Sequence, residues 1–168
     1  MGLGVCFSKI LIGTDDGNTP LFPIFKRNTM AVEPNIIPMI SYEDGVKAIE
    51  WLCTAFGFTE QARWLDDAGR LTHGEISLGD GLIMLATPSP DYQSPKHHRE
   101  HCTAAARWST VSYIIDGVLV YVPDIEAHYN TAVAAGARIL SPIETGGPGS
   151  RYRAEDPEGH RWMFMQRG

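Results

Sequence analysis

Two pairs of polar residues sit two positions apart on stretches that read as strands: His73 and Glu75, and Arg151 and Arg153. Alternation along a strand puts both members of each pair on one face. An imidazole beside a carboxylate can move a proton or orient a substrate hydroxyl, which makes His73 and Glu75 the candidate catalytic pair. The same two residues also suit a purely structural contact at a sheet rim. Arg151 and Arg153 could clamp a carboxylate or phosphate through paired guanidinium bonds, or could blunt an exposed basic sheet edge. His97, His98 and His101 form a third group. Positions 97 and 101 face the same way on a helix, yet only Glu100 accompanies them, and Lys96, Arg99 and Arg107 would repel a cation; a solvated connector is the expectation. A Gly-x-Ser-x-Gly elbow and a phosphate loop ending in Gly-Lys-Ser/Thr are both absent, which removes two common nucleophile and nucleotide sites.

The elements that must position these groups are readable from period and punctuation. The 168 residues carry 14 Lys and Arg against 20 Asp and Glu, a net charge of −6, which argues against a nucleic-acid partner. There is no apolar run of about 20 residues, so no membrane span is expected. Cys6, Cys53 and Cys102 are an odd number without a Cys-x-x-Cys, which suggests neither a disulfide framework nor a thiolate zinc site and fits a reducing cytoplasm. Residues 1–34 show no sustained period and read as an N-terminal extension, without the order of features that an export signal needs.

From residue 35 the pattern sharpens. Asn35 to Tyr42 reads as a strand, and Asp44 can cap a helix whose apolar face carries Val46, Ile49, Leu52 or Cys53, and Phe56, ended by Gly57. Strands follow at 58–65, 71–78 and 82–86. The order then repeats: a strand at 118–122, a helix capped by Asp124 and ended by Gly136, and strands at 137–140, 150–155 and 161–165. Asp44 and Asp124, Gly57 and Gly136, Gly81 and Gly159, and Met84 and Met163 all recur at spacings of 78 to 80 residues, the mark of a tandem βαβββ duplication. The expected organisation is an extension at 1–34, a first module at 35–86, a linker at 87–116 with a short polar helix over 96–108 and a second module at 117–168. The class is α+β. Each module has a helix on one sheet face only, so two modules, paired within one chain or across a dimer, are expected to enclose a cleft with their other faces.

The duplicated βαβββ order, the Phe56-Gly57-Phe58 helix exit and the stretch Glu155-Asp156-Pro157-Glu158-Gly159-His160 resemble the vicinal oxygen chelate superfamily of glyoxalases, extradiol dioxygenases, fosfomycin-resistance enzymes and bleomycin-resistance proteins. The resemblance covers about residues 36 to 166 and is closest to an uncharacterised, PhnB-like glyoxalase subgroup. It implies a cleft that, in metal-dependent members, holds a divalent ion on the first and last strands of each module. Carried over, those positions fall at Ile37, Met84, Val118 and Met163, and a slip of two residues adds only Asp116. No carboxylate or imidazole cage results, so no metal and no cofactor is expected. A lining of Met39, Met84, Val118, Val120, Met163 and Met165 would instead suit an apolar or aromatic guest, with Trp64 and Tyr121 as possible aromatic walls and Arg151 and Arg153 as polar contacts. The expected partners are a small-molecule ligand and a second copy of the chain in a homodimer, with binding or sequestration as the function. The alternatives are a lyase, isomerase or dioxygenase-type enzyme using His73 and Glu75, and a structural dimerisation module.

Overall fold

A computed structural model describes residue 34 and residues 36–112 and 117–168. The expected extension at 1–34 and the candidate Asp116 therefore fall almost wholly outside the described residues. The elements are β1 (Met39–Ser41), α1 (Gly45–Phe56), β2 (Thr59–Leu65), β3 (Leu71–Leu78), β4 (Gly81–Ala86), α2 (Pro95–His101), α3 (Thr103–Trp108), β5 (Gly117–Tyr121), α4 (Ile125–Ala134), β6 (Arg138–Gly146), β7 (Gly149–Glu155) and β8 (Arg161–Arg167). Among the described residues no helix is long and apolar enough to cross a membrane.

Two four-stranded mixed sheets result, with strand orders β1-β4-β3-β2 and β5-β8-β7-β6. In each, the first strand runs parallel to the last and the remaining pairs are antiparallel hairpins. This is the duplicated βαβββ arrangement, α+β in class. Helix α1 starts where the Asp44 carboxylate accepts the amide of Lys47, and it stops at Gly57, whose φ of 71° is left-handed. Asp124 caps α4 in the same way through Ala127. Gly74 has a packing reason: a β-carbon there would lie 2.7 Å from Cδ1 of Ile49, so the bare backbone of β3 gives this side-chain end of α1 its room.

The linker differs from expectation. The helix expected between 96 and 108 is two helices, because Cys102 takes an extended conformation (φ −122°, ψ 109°) that breaks the hydrogen-bond ladder. Strand β6 runs further than the four residues expected, to Gly146, with bulges that let it follow β7.

The relation between the modules, open in the sequence, is set by their apolar faces. One apolar core joins them, and it lies on the helix-bearing sides of both sheets. The Phe56 ring at the end of α1 packs on Phe164 and Trp162 of β8, with centroids 4.7 and 5.5 Å away, and α1 lies against α4. Within one chain, then, the modules meet through their helix sides, which leaves the opposite sheet faces uncovered. The physical reason is bulk: Phe56, Trp162, Phe164 and Tyr152 are fully buried only if both helix faces close on each other.

The turn Asp156-Pro157-Glu158-Gly159 fastens this junction. The Glu158 carboxylate accepts the backbone amides of Glu43 and Asp44 at 2.7 and 2.9 Å, at the start of the other module's helix. Buried Asp156 accepts the Tyr42 hydroxyl at 2.7 Å and the Trp162 indole N–H at 3.1 Å. Burial raises the pKa of both carboxyls despite those bonds.

Candidate functional site

Each sheet has one uncovered face, and its composition follows from alternation. In the first sheet Ile76, Ile83 and Leu85 are buried toward α1, so His73 and Glu75 of β3 and Met84 of β4 point the other way. Met39 of β1 stands beside Met84 in the parallel register and is 78% exposed. On the edge strand β2, Trp64 lies opposite His73 and Ala62 opposite Glu75. The His73 and Trp64 rings are 4.8 Å apart, and His73 Nε2 is 3.1 Å from Glu75 Oε1. The pair chosen from sequence thus forms a half-buried imidazole–carboxylate contact along one strand, next to an indole and one strand from two thioethers. Such a contact can hold a proton between its two members or present one to a bound hydroxyl.

In the second sheet Tyr152, Ala154, Trp162 and Phe164 are buried on the helix side, which leaves Arg151, Arg153 and Met163 partly exposed on the other face, with Met165 beside them buried at 6% exposed. The same register divides β5 between two faces. Val118 and Val120 pair with Trp162 and Phe164, pack against the core and are among the residues that line a cavity of about 530 Å³ against β4; their neighbours Leu119 and Tyr121, beside Met163 and Met165, occupy the other face. A one-residue slip in register would exchange the two sets. Tyr121 is 47% exposed and carries the Arg167 guanidinium 4.1 Å from its ring centroid. Arg151 and Arg153 are not on an exposed edge, since β7 lies between β6 and β8. Both pair with Glu144, at 3.4 and 3.3 Å, and Arg153 also donates to Ser141 Oγ. Two guanidinium groups share one carboxylate, which leaves this face basic, while the first sheet offers Glu75.

The register also moves the positions compared with metal ligands. Met84 is beside Met39 rather than Ile37, and Met163 beside Leu119 rather than Val118. These four side chains supply two thioethers, a third thioether and an isobutyl group, and no oxygen or nitrogen. Among the described residues no group of three or more His, Cys, Asp or Glu could hold a metal ion. The donor set does not fit a hard or borderline divalent ion. The three histidines of α2 form no such group either, and His97 Nδ1 is bound to Glu43.

The sequence pattern of the Glyoxalase/Bleomycin resistance protein/Dioxygenase superfamily matches residues 38–164. The chain belongs to that superfamily. Among its relatives is an uncharacterized protein of Mycobacterium tuberculosis strain H37Rv, 29% identical over 142 residues that span 83% of this chain and 79% of the relative. Among solved structures, this glyoxalase/bleomycin-resistance fold is similar to TioX from Micromonospora sp. ML1, with a TM-score of 0.58 and 25% identity over 79% of this chain and 98% of TioX. It also matches TnmS3, an antibiotic binding protein from Streptomyces sp. CB03234, with a TM-score of 0.55 and 16% identity over 82% of this chain and 99% of that one. At that identity TnmS3 speaks for the glyoxalase/bleomycin-resistance fold alone.

Two groups that hold the superfamily fold together here escape a reading of the sequence. His128 is half-buried at the module junction, with Nδ1 2.7 Å from the Tyr152 hydroxyl and Nε2 3.1 Å from the Phe56 carbonyl oxygen. Glu155 is buried among Arg99, Arg138 and Arg161. The signal for the second lay in the Glu155-Asp156 start of the turn motif; for His128, on a polar helix face, there was none.

Proposed function

We propose that the chain binds and sequesters an apolar or aromatic small molecule without a metal ion, in a cleft formed between the uncovered first-sheet face of one copy and the uncovered second-sheet face of another. The observation that carries this proposal is the placement of Met39 and Met84 on one open face and Leu119 and Met163 on the other, where metal-dependent relatives would need hard ligands. Thioether and branched aliphatic groups adapt to varied apolar shapes. Glu75 on one face and the Arg151 and Arg153 pair on the other make the two surfaces complementary in charge, which supports a reciprocal twofold pairing. The antibiotic-binding description of TnmS3 agrees with a sequestering role.

A thermal-shift screen of the full chain against polycyclic aromatic antibiotics, run with elemental analysis of the same preparation, tests this. The expected result is a raised melting temperature for at least one compound and no stoichiometric metal. Tight stoichiometric nickel, zinc, iron or manganese would overturn it. The 3.1 Å His73–Glu75 contact favours one second reading, an acid–base enzyme of the lyase or isomerase type in the same cleft.

A further inference from the structure

A cavity of about 510 Å³ lies under the linker, and its walls come from one chain. Helices α2 and α3 roof the end of the second sheet where β7 finishes and β8 begins. The walls include Arg99 of α2, Trp108 of α3, Tyr92 before α2, and Glu155, His160 and Arg161 at the strand ends. The volume falls within the range of small-molecule sites, roughly 300 to 1,000 Å³.

The charge at this end is unbalanced. Glu155 is 1% exposed and meets three guanidinium groups: Arg138 at 2.6 Å, Arg99 at 3.0 Å and Arg161 at 3.3 Å. Arg161 is itself buried, at 8% exposed, and also donates to the carbonyls of Ser109 and Val111, which ties the cation to the linker backbone. Two of these guanidinium groups, Arg99 and Arg161, stand on the cavity wall and half-exposed Arg138 lies outside it, so the Arg99 end of the cavity favours an anion, whereas Asp156, Glu158 and Glu43 give the end near Tyr92 and His160 the opposite sign. Only Nη1 of Arg99 is used in the described bonds, so its other donors are available. Nε2 of His160 is buried with no hydrogen-bond partner among the described residues. Buried polar atoms are rarely left so, and a ligand or water commonly completes them. Trp108, 56% exposed, and Tyr92 supply aromatic surface beside this charge.

We infer that this cavity is a binding site for an aromatic carboxylate, its acid group drawn to Arg99 at the Glu155 cluster and its ring held by Trp108 and Tyr92. The site is complete in one chain and does not depend on the cleft between copies.

Fluorine NMR of 4-fluorobenzoate with the full chain tests the inference, with 4-fluorobenzyl alcohol as the uncharged comparator. Saturable binding at one molecule per chain is expected, at least tenfold weaker for the alcohol. Arg99→Gln should weaken the acid at least tenfold. Trp108→Ala, a change at an exposed position, should weaken it severalfold with the circular dichroism unchanged. Absence of saturable binding, or equal binding of acid and alcohol, would overturn the assignment. So would binding that survives both substitutions and disappears instead in Arg153→Gln, because that places the acid on the open sheet face.

Discussion

His128 of α4 reaches across the module junction to the backbone of Phe56, its Nε2 3.1 Å from the carbonyl oxygen that ends α1. A carbonyl only accepts, so Nε2 carries the proton, and Nδ1 accepts from the Tyr152 hydroxyl at 2.7 Å. Burial lowers the pKa of this imidazole, with the bond to Phe56 opposing only part of the effect. The folded chain therefore prefers neutral His128, whereas the unfolded chain takes up a proton near the ordinary histidine value of about 6.5. The stability contributed by His128 is present above that value and is lost as pH falls through it toward the lower folded pKa. Urea unfolding from pH 7.5 to 5 should show this decline, and His128→Gln should flatten it. An unchanged slope in the variant would refute the assignment.

Glu158 is the second tie across the junction. Raised by burial, its carboxyl gives a pH dependence of opposite sign, stabilising at low pH and weakening as pH rises through the folded pKa. Its two bonds to the amides of Glu43 and Asp44 still hold the start of α1 to the other module. Glu158→Ala should cost about 2 to 3 kcal/mol, since hydrogen bonds to a charged group are the stronger kind. The unfolding midpoint in urea measures it.

The guanidinium cluster around Glu155 separates buried from exposed ion pairs. Glu155→Gln leaves buried Arg161 without its counter-charge and should cost about 3 to 5 kcal/mol. Arg138→Gln removes a partner that is 54% exposed and should cost under about 1 kcal/mol. Denaturant titration of the two variants side by side gives the comparison, and equal losses would contradict it.

Gly74 tests the packing of α1 on β3. Gly74→Val drives a branched side chain into Ile49 and should destabilise by about 1 to 3 kcal/mol, the usual cost of overpacking. A compensating Ile49→Ala should recover part of the loss, which a double-mutant cycle reads directly.

The two functional readings of the open faces part at His73 and Glu75. If the chain only binds, His73→Gln with Glu75→Gln should leave the affinity for an apolar ligand within a fewfold, while Leu119→Arg should lower both affinity and the sedimentation-measured dimer fraction. If it catalyses, the double variant should abolish turnover and retain binding.

The repeat and its helix ends are legible in the chain because they rest on local chemistry: Asp44 and Asp124 cap, Gly57 and Gly136 terminate, and the landmarks recur at one spacing. The faces of β3, β7 and β8 are legible too, since Ile76 alternates with His73 and Glu75 on β3, Tyr152 with Arg151 and Arg153 on β7, and Trp162 and Phe164 with Met163 on β8. Strand β5 is not, because Val118, Leu119 and Val120 are all apolar and carry no alternation to set their register. The packing of modules through their helix sides is illegible for another reason. It depends on Phe56 finding Phe164 more than 100 residues away, and no local pattern encodes which of two apolar surfaces will close.

The shared core and the Glu158 tie carry a consequence for dissection. A gene cut between the halves should give two fragments, neither able to hold native structure by itself, because each would expose the aromatic surface its counterpart covers. Co-expression of the pair should restore a soluble, stoichiometric complex, and this complementation should collapse when the C-terminal fragment carries Phe164→Ser.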